Sequence, residues 1–210
     1  MKLAIFGASG HTGIPLVEQA LAAGHTVRAL VRTPAKLTIK HDHLTVIQGD
    51  VSDPTKVNET IDGCEAVLTV IGHSKTSPKD IQAVATRNII DAMNHHGIRR
   101  LVSLTGAGVR DPKDQPKTVD KVFGFLLKTF SADVAADAEQ HAALIRASGL
   151  NWVIVRGPML TEGPRTGKYY VGYVGKESGT RVSRADIADF MLKQVKDNSY
   201  LQSAPMISSS

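Results

Sequence analysis

Lys2-Leu-Ala-Ile-Phe-Gly-Ala-Ser-Gly-His-Thr-Gly13, running on through Ile14-Pro-Leu-Val-Glu-Gln-Ala-Leu-Ala-Ala-Gly24, decides how the rest of the chain reads. Five residues, Lys2 to Phe6, are long enough for a buried strand and too short for a helix. A glycine-rich turn follows at once, and Ile14 to Ala23 reads as a helix stopped by Gly24. Strand, tight turn and helix together make a cradle for a dinucleotide pyrophosphate. The turn keeps side chains away from the phosphates, and the helix N-terminus offers unpaired N–H groups and a positive dipole end. Three glycines alone carry little, but flanked this way they point to phosphate contact from Gly7, Ser9, Gly10, His11, Thr12 and Gly13. The His11 imidazole reads either as a phosphate contact or as a solvent-facing group.

The rest of the chain extends this unit. Thr26 to Arg32, Leu44 to Gly49, Ala66 to Ile71, Leu101 to Leu104 and Trp152 to Val155 read as further strands. Asp53-Pro54 opens a helix as N-cap and first helical residue. Ile81, Ala85, Ile89 and Met93 mark a helix over Ser77 to Gly97, and Lys117 to Gly149 reads as one or two more, Asp133 to Ser148 being the clearer part. Beyond Arg156 come a Gly- and Pro-rich stretch, a candidate strand over Tyr169 to Val174, and a helix started by Ser183-Arg-Ala-Asp186. Apolar strands alternating with helices predict a doubly wound, parallel α/β sheet forming one domain over residues 1–210, its ligands at the carboxyl ends of the strands.

Bulk properties narrow the function. With 210 residues and 42% hydrophobic side chains, the chain supports one sizeable core. A single cysteine, Cys64, leaves no internal disulfide and fits a reducing compartment. The opening residues do not read as a secretory leader and nothing approaches the ~18 apolar residues of a membrane span, so a cytoplasmic protein without membrane partner is expected. The net charge is +5, yet no basic run exceeds Arg99-Arg100 and no aromatics are interleaved, which argues for an anionic small molecule rather than nucleic acid. His41, His43, His95, His96 and His141 lack the ligand spacing of a metal site, so no metal is expected. His95-His96 suit the negative end of a helix dipole. Asp137 and His141, one helical turn apart, read as a pair with each other or as residues bordering a pocket.

The end of the second strand discriminates between the two dinucleotides. An acidic residue there would hold a ribose 2′-hydroxyl; this chain has Arg32, with Thr33 and Lys36 nearby. A guanidinium fork suits a 2′-phosphate, so NADP(H) is expected in preference to NAD(H).

The cradle motif, Leu30-Val-Arg32, Gly49-Asp-Val51, Ser148-Gly-Leu150 and Arg181-Val-Ser-Arg-Ala-Asp-Ile-Ala-Asp-Phe-Met-Leu192 resemble the atypical short-chain dehydrogenase/reductase family. Within it the likeness is to the NADPH-dependent flavin reductase / biliverdin-IXβ reductase branch, over Lys2 to about Leu192. The resemblance implies that Asp50 and Val51 border the adenine and that Ile71 and Gly72 lie along the cofactor. It places Leu104 and Thr105 beside the nicotinamide, closes Pro158, Met159 and Leu160 over it, and turns Arg181 to the substrate. Thr105 and Arg181 are thereby the candidate catalytic residues, and Gly106, Met159 and Arg181 the candidate substrate contacts. Two positions depart from that branch: Gly106 stands where a serine is expected, and Met159 where a histidine is. Both changes argue against a tetrapyrrole.

The Tyr-x-x-x-Lys pair of ordinary short-chain dehydrogenases is also missing. Tyr169, Tyr170, Tyr173 and Tyr200 are followed four residues on by Tyr173, Val174, Glu177 and Ala204. Alcohol–ketone chemistry needs a placed acid–base group, whereas a flavin (FMN, FAD or riboflavin) or quinone acceptor asks mainly for proximity and orientation. The reading is an NADPH-dependent reductase of a flat acceptor, acting as monomer or homodimer. A non-catalytic NADP(H) sensor, or an alcohol- or sugar-type dehydrogenase or epimerase, are the other readings.

Overall fold

The computed structural model describes residues 1–74, 76–116, 132–175 and 179–209. The first part of the expected helical region, Lys117 to Ser131, lies outside the described residues. Six parallel strands carry the fold: β1 (Lys2–Phe6), β2 (Thr26–Val31), β3 (Leu44–Gln48), β4 (Ala66–Thr69), β5 (Arg100–Gly106) and β6 (Asn151–Gly157). Their order is β3-β2-β1-β4-β5-β6, so connections leave β1 in opposite directions across the sheet. Ligands of doubly wound sheets bind at that switch point, between the carboxyl ends of β1 and β4 here.

Alternation along the strands explains the two helical layers. Leu3 and Ile5 of β1 face α1 (Gly13–Ala22), together with Val27, Ala29, Val102 and Val155. Ala4 and Phe6 face the opposite layer, formed by α2 (Pro54–Ile61), α3 (Ile81–His95) and α4 (Ala132–Ala147). Because β1, β4, β5 and β6 are covered on both sides, their sequences are apolar nearly throughout rather than alternating, whereas β3, at the sheet edge, is largely exposed. Among the described residues the expected strands and helices are found, with β5 and β6 longer than anticipated and β4 shorter.

The region after β6 needed more correction. β7 (Met159–Thr161) pairs with β9 (Arg181–Ser183) in a separate two-stranded sheet. β8 (Tyr169–Gly172) runs antiparallel to β10 (Met206–Ser209), which extends the main sheet beside β6. β7, β9 and β10 were not expected, because runs of three or four residues carry too little periodicity to read. α5 (Arg184–Lys193) packs beside α1, and Ser183 caps it by accepting the Asp186 N–H at 3.0 Å, as the motif implied.

One buried cation ties the late elements together. Arg156 of β6 is 0% exposed and forms a fork on Asp114, with both N–O distances 2.7 Å. It also donates to the Val109 and Ala204 carbonyls. Asp114 in turn accepts the Val174 N–H. The loop after β5, the approach to β10 and the end of β8 are thus fixed to one guanidinium.

Candidate active site

The cradle has the geometry its sequence promised, with a different role for each glycine. Gly7 has φ of +84°, and a Cβ there would sit 3.0 Å from the Val70 carbonyl group at the end of β4. Gly13 lies so close to the strand end that a Cβ would fall 2.7 Å from Ala8 and collide with the Gly7 oxygen. Gly10 is exposed, and its N–H closes the turn on the Gly7 carbonyl at 3.0 Å. The first glycine makes the turn, the third packs helix on strand, and the second leaves the outer face of the backbone bare. Thr12, at the N-cap of α1, makes no side-chain cap, and the first turn holds no acidic residue. The helix end is therefore free to receive an anion.

His11 does not point into this cradle alone: its Nδ1 lies 3.5 Å from Glu162, which also pairs with Arg184 at 2.6 Å. The glycine-rich turn is linked in this way to the segment after β7. That segment is held by Asp186, which accepts the Thr166 N–H and hydroxyl at 2.8 Å each and the Gly167 N–H at 2.9 Å.

Around the adenine-side positions, Arg32 and Lys36 are exposed just past β2, and Arg32 Nε stands 4.0 Å from Asp50. Partial burial pushes the Asp50 carboxyl up, but the Ser52 N–H and hydroxyl and the Arg32 charge outweigh it and hold it below its ordinary value. Val51 is fixed by Asn88 of α3, whose amide donates to its carbonyl at 2.8 Å.

At the other end, strand register assembles the remaining residues. Gly106 pairs with Gly157 across β5 and β6, and Met159 pairs with Arg181 across β7 and β9. Met159 is 57% exposed and Arg181 is exposed, while Pro158 and Leu160 are half-buried. A Cβ on Gly72 or Gly106 would meet nothing within 4 Å, so the ends of β4 and β5 form an open wall. Leu104 and Thr105 are buried below it. The Thr105 hydroxyl oxygen is buried without a hydrogen-bond partner among the described residues, the sort of orphan that a ligand group satisfies. The crowded glycine turn, the uncapped helix end and this orphan fit a dinucleotide laid across the strand ends from Arg32 to Thr105.

Of the two readings of Asp137 and His141 on α4, the mutual pair is absent. Asp137 and His141 do not bond each other. Asp137 instead accepts the Gln82 and Ala83 N–H groups, both at 2.9 Å, and sits 2.8 Å from His73 Nε2. It caps α3 from a neighbouring helix, which explains why α3 begins at Ile81 rather than Ser77. His141 lies 2.8 Å from Ser103 Oγ and 2.5 Å from Thr86 Oγ1. Burial drives its pKa down to about 4 against a weaker opposing pull from Asp137. A neutral ring satisfies the whole chain: Ser103 donates to Nε2, Nδ1 donates to Thr86, and Thr86 donates to the Gln82 carbonyl at 2.6 Å. His95 closes the last turn of α3 and His96 is its C-cap, as expected, and His96 also bonds Asn58 on α2 at 3.0 Å. Among the described residues no group of three or more His, Cys, Asp or Glu could hold a metal ion.

Residues 7–198 match the family model described as NAD(P)H-binding. The chain belongs to that family. This is consistent with the resemblance to the atypical short-chain dehydrogenase/reductases. It is 31% identical over 175 residues to the uncharacterized chloroplastic protein At2g34460 of Arabidopsis thaliana, covering 79% of this chain and 61% of that protein. Cinnamoyl-CoA reductase 1 of Petunia hybrida is 29% identical over 76% of this chain and 54% of its own length. The chain thus spans a little over half the length of these two relatives. Reductase pytE of Aspergillus terreus, 28% identical, is matched over 98% of this chain and 97% of its own.

Solved structures share the fold. A short-chain dehydrogenase/reductase of Veillonella parvula in complex with NADP superposes with a TM-score of 0.81 at 19% identity, covering 99% of this chain and 94% of that one. ChuY, an anaerobilin reductase from Escherichia coli O157:H7, gives 0.77 at 21% identity, covering 99% and 96%.

Proposed function

We propose that this family member is an NADPH-dependent oxidoreductase that passes a hydride to a flat acceptor of the flavin or quinone type. The observation that carries the reading is the exposed Gly72, Gly106 and Met159 at the strand ends, with the Thr105 hydroxyl, unpartnered among the described residues, next to Gly106 in β5. A glycine-lined wall admits a planar ring against the nicotinamide position, and Met159 adds a soft apolar surface to cover it. Arg32, with Lys36 beside it, supports the choice of NADPH through paired contacts to a 2′-phosphate. Two relatives that are reductases and a fold neighbour in complex with NADP support the same class.

The bound dinucleotide supplies the hydride. The chain's own share is to hold the diphosphate on Gly7 to Gly13, to fix the nicotinamide amide near Thr105, and to confine the acceptor beside Met159 and Arg181. Arg181 has the charge to neutralise an anionic reduced ring. Proximity and orientation then do most of the catalysis. Mixing protein and NADPH with FMN, riboflavin or a quinone should give loss of the reduced-nicotinamide absorbance. Tight NADPH binding with no consumption in any acceptor would overturn this reading and leave a nucleotide sensor.

A further inference from the structure

Eight histidines are distributed in a way that singles out one of them. His25 leads into β2, His41 and His43 lead into β3, and His95 and His96 end α3 ahead of β5. All five therefore lie toward the edge of the sheet opposite the cofactor positions. His11 is 83% exposed beside Glu162. His141 is buried with both ring nitrogens engaged. His73 alone is both sheltered and at the right edge: it follows Gly72 in the loop after β4, with its side chain 17% exposed.

Its partner is unusually well fixed. The Asp137 side chain is 2% exposed, and each of its oxygens already accepts a backbone N–H from the first turn of α3. Capping α3 requires no imidazole, so the further contact at 2.8 Å serves His73 rather than the helix. A carboxylate so engaged acts as acceptor, which places a hydrogen on His73 Nε2 and leaves Nδ1 as the nitrogen turned away from it. Gly72, its neighbour in the chain, carries no side chain, and a Cβ there would meet nothing within 4 Å beyond the two adjoining residues. A base or acid oriented by a third, buried group is the arrangement general acid–base catalysis requires.

We propose that His73, oriented by Asp137, donates the proton that the acceptor takes up as it receives the hydride; this rests on the reductase reading above. The hydride carries two electrons from the reduced nicotinamide to a quinone or flavin, oxidising the nicotinamide. Negative charge develops on the acceptor's oxygen or ring nitrogen. The imidazolium Nδ1–H bond breaks, the proton goes to that atom, and neutral His73 keeps its Nε2–H on Asp137 until solvent returns a proton. Among the described residues, the charged group in contact with the ring is Asp137, at 2.8 Å, and His141 lies one turn farther along α4, bonded to Thr86 and Ser103. The Lys79–Asp133 ion pair, at 2.7 Å, joins the approach to α3 to the first turn of α4.

The test compares the unmodified protein with His73→Gln and Asp137→Asn, using NADPH with FMN and with 2-methyl-1,4-naphthoquinone. Kcat of the unmodified protein should fall as pH rises through one titration. His73→Gln should lower kcat about 100-fold or more, abolish that titration, and leave the NADPH dissociation constant within about twofold. Added imidazole should recover part of the rate of His73→Ala. In the cofactor-free protein, long-range proton–nitrogen NMR should show neutral His73 as the Nε2–H tautomer. Turnover of His73→Gln within twofold of the unmodified protein, with the same pH profile, overturns the proposal alone; so does an Nδ1–H tautomer. Absence of turnover in the unmodified protein removes the reductase reading and the donor role with it. A merely structural staple would shift the melting temperature of His73→Gln without removing the titration.

Discussion

At the residue scale, two buried polar side chains make opposite statements. His141 has both ring nitrogens bonded to hydroxyls, and burial favours its neutral form, lowering its pKa from 6.5 to about 4. Between those values the unfolded chain binds the extra proton and the folded chain does not, so stability falls as pH drops from 6.5 toward 4 and levels off below. The shift corresponds to about 3 kcal/mol. Denaturant titrations across that window should show the loss, and His141→Leu should flatten it. Thr105, in contrast, carries a hydroxyl with no partner among the described residues. Thr105→Val should raise stability by about 1 kcal/mol, because an unsatisfied buried group is removed. The same change should weaken NADPH binding several-fold, measured by fluorescence titration. A variant that gains stability and keeps full affinity would show that the hydroxyl has no ligand to meet.

At the element scale, the start of α3 shows what a sequence conceals. Asp80 stands at the N-cap position and makes no side-chain cap. The cap comes from Asp137, more than fifty residues later in the chain. Asp80→Ala should therefore cost under ~0.5 kcal/mol, whereas Asp137→Ala, which strands two buried N–H groups, should cost about 2–4 kcal/mol. Equal losses in thermal unfolding would contradict the assignment. Local signals succeeded where the partner is local: Asp53 accepts the Thr55 N–H at 2.9 Å and Ser183 accepts from Asp186, as their motifs implied. The glycine-rich turn was legible for the same reason. Asp137, His73 and Arg156 were not, since each acquires its role from a neighbour distant in sequence, and nothing in a helical aspartate or a strand arginine announces such a partner. β7, β9 and β10 escaped because they exist through pairing rather than through their own periodicity.

At the scale of the whole molecule, the parallel sheet fixes one edge for chemistry and a single ion pair fixes the elements flanking that edge. Arg156 and Asp114 bind the loop after β5 to β6, β8 and the approach to β10. Burial would push the Asp114 carboxyl up, but the Arg156 guanidinium and the Asp111 and Val174 N–H groups hold it below the ordinary carboxylate range. Its contribution is present above that range and is lost as pH falls through the lowered value. Asp114→Ala leaves a buried guanidinium unpaired and should cost roughly 3–5 kcal/mol, read from denaturant midpoints. A loss under 1 kcal/mol would mean that Arg156 is served well enough by its two carbonyls.

The account stands on the backbone between Phe6 and Ile14 as the seat of a dinucleotide diphosphate, with Arg32 selecting the phosphorylated form. Titration of the purified chain with NADPH and NADH, each against the unmodified protein and Arg32→Glu, tests this most directly. One saturable site is expected, tighter for NADPH, with Arg32→Glu weakening NADPH at least about tenfold more than NADH. No saturable signal with either nucleotide would contradict the cradle, and equal or tighter NADH binding by the unmodified protein would contradict the role of Arg32.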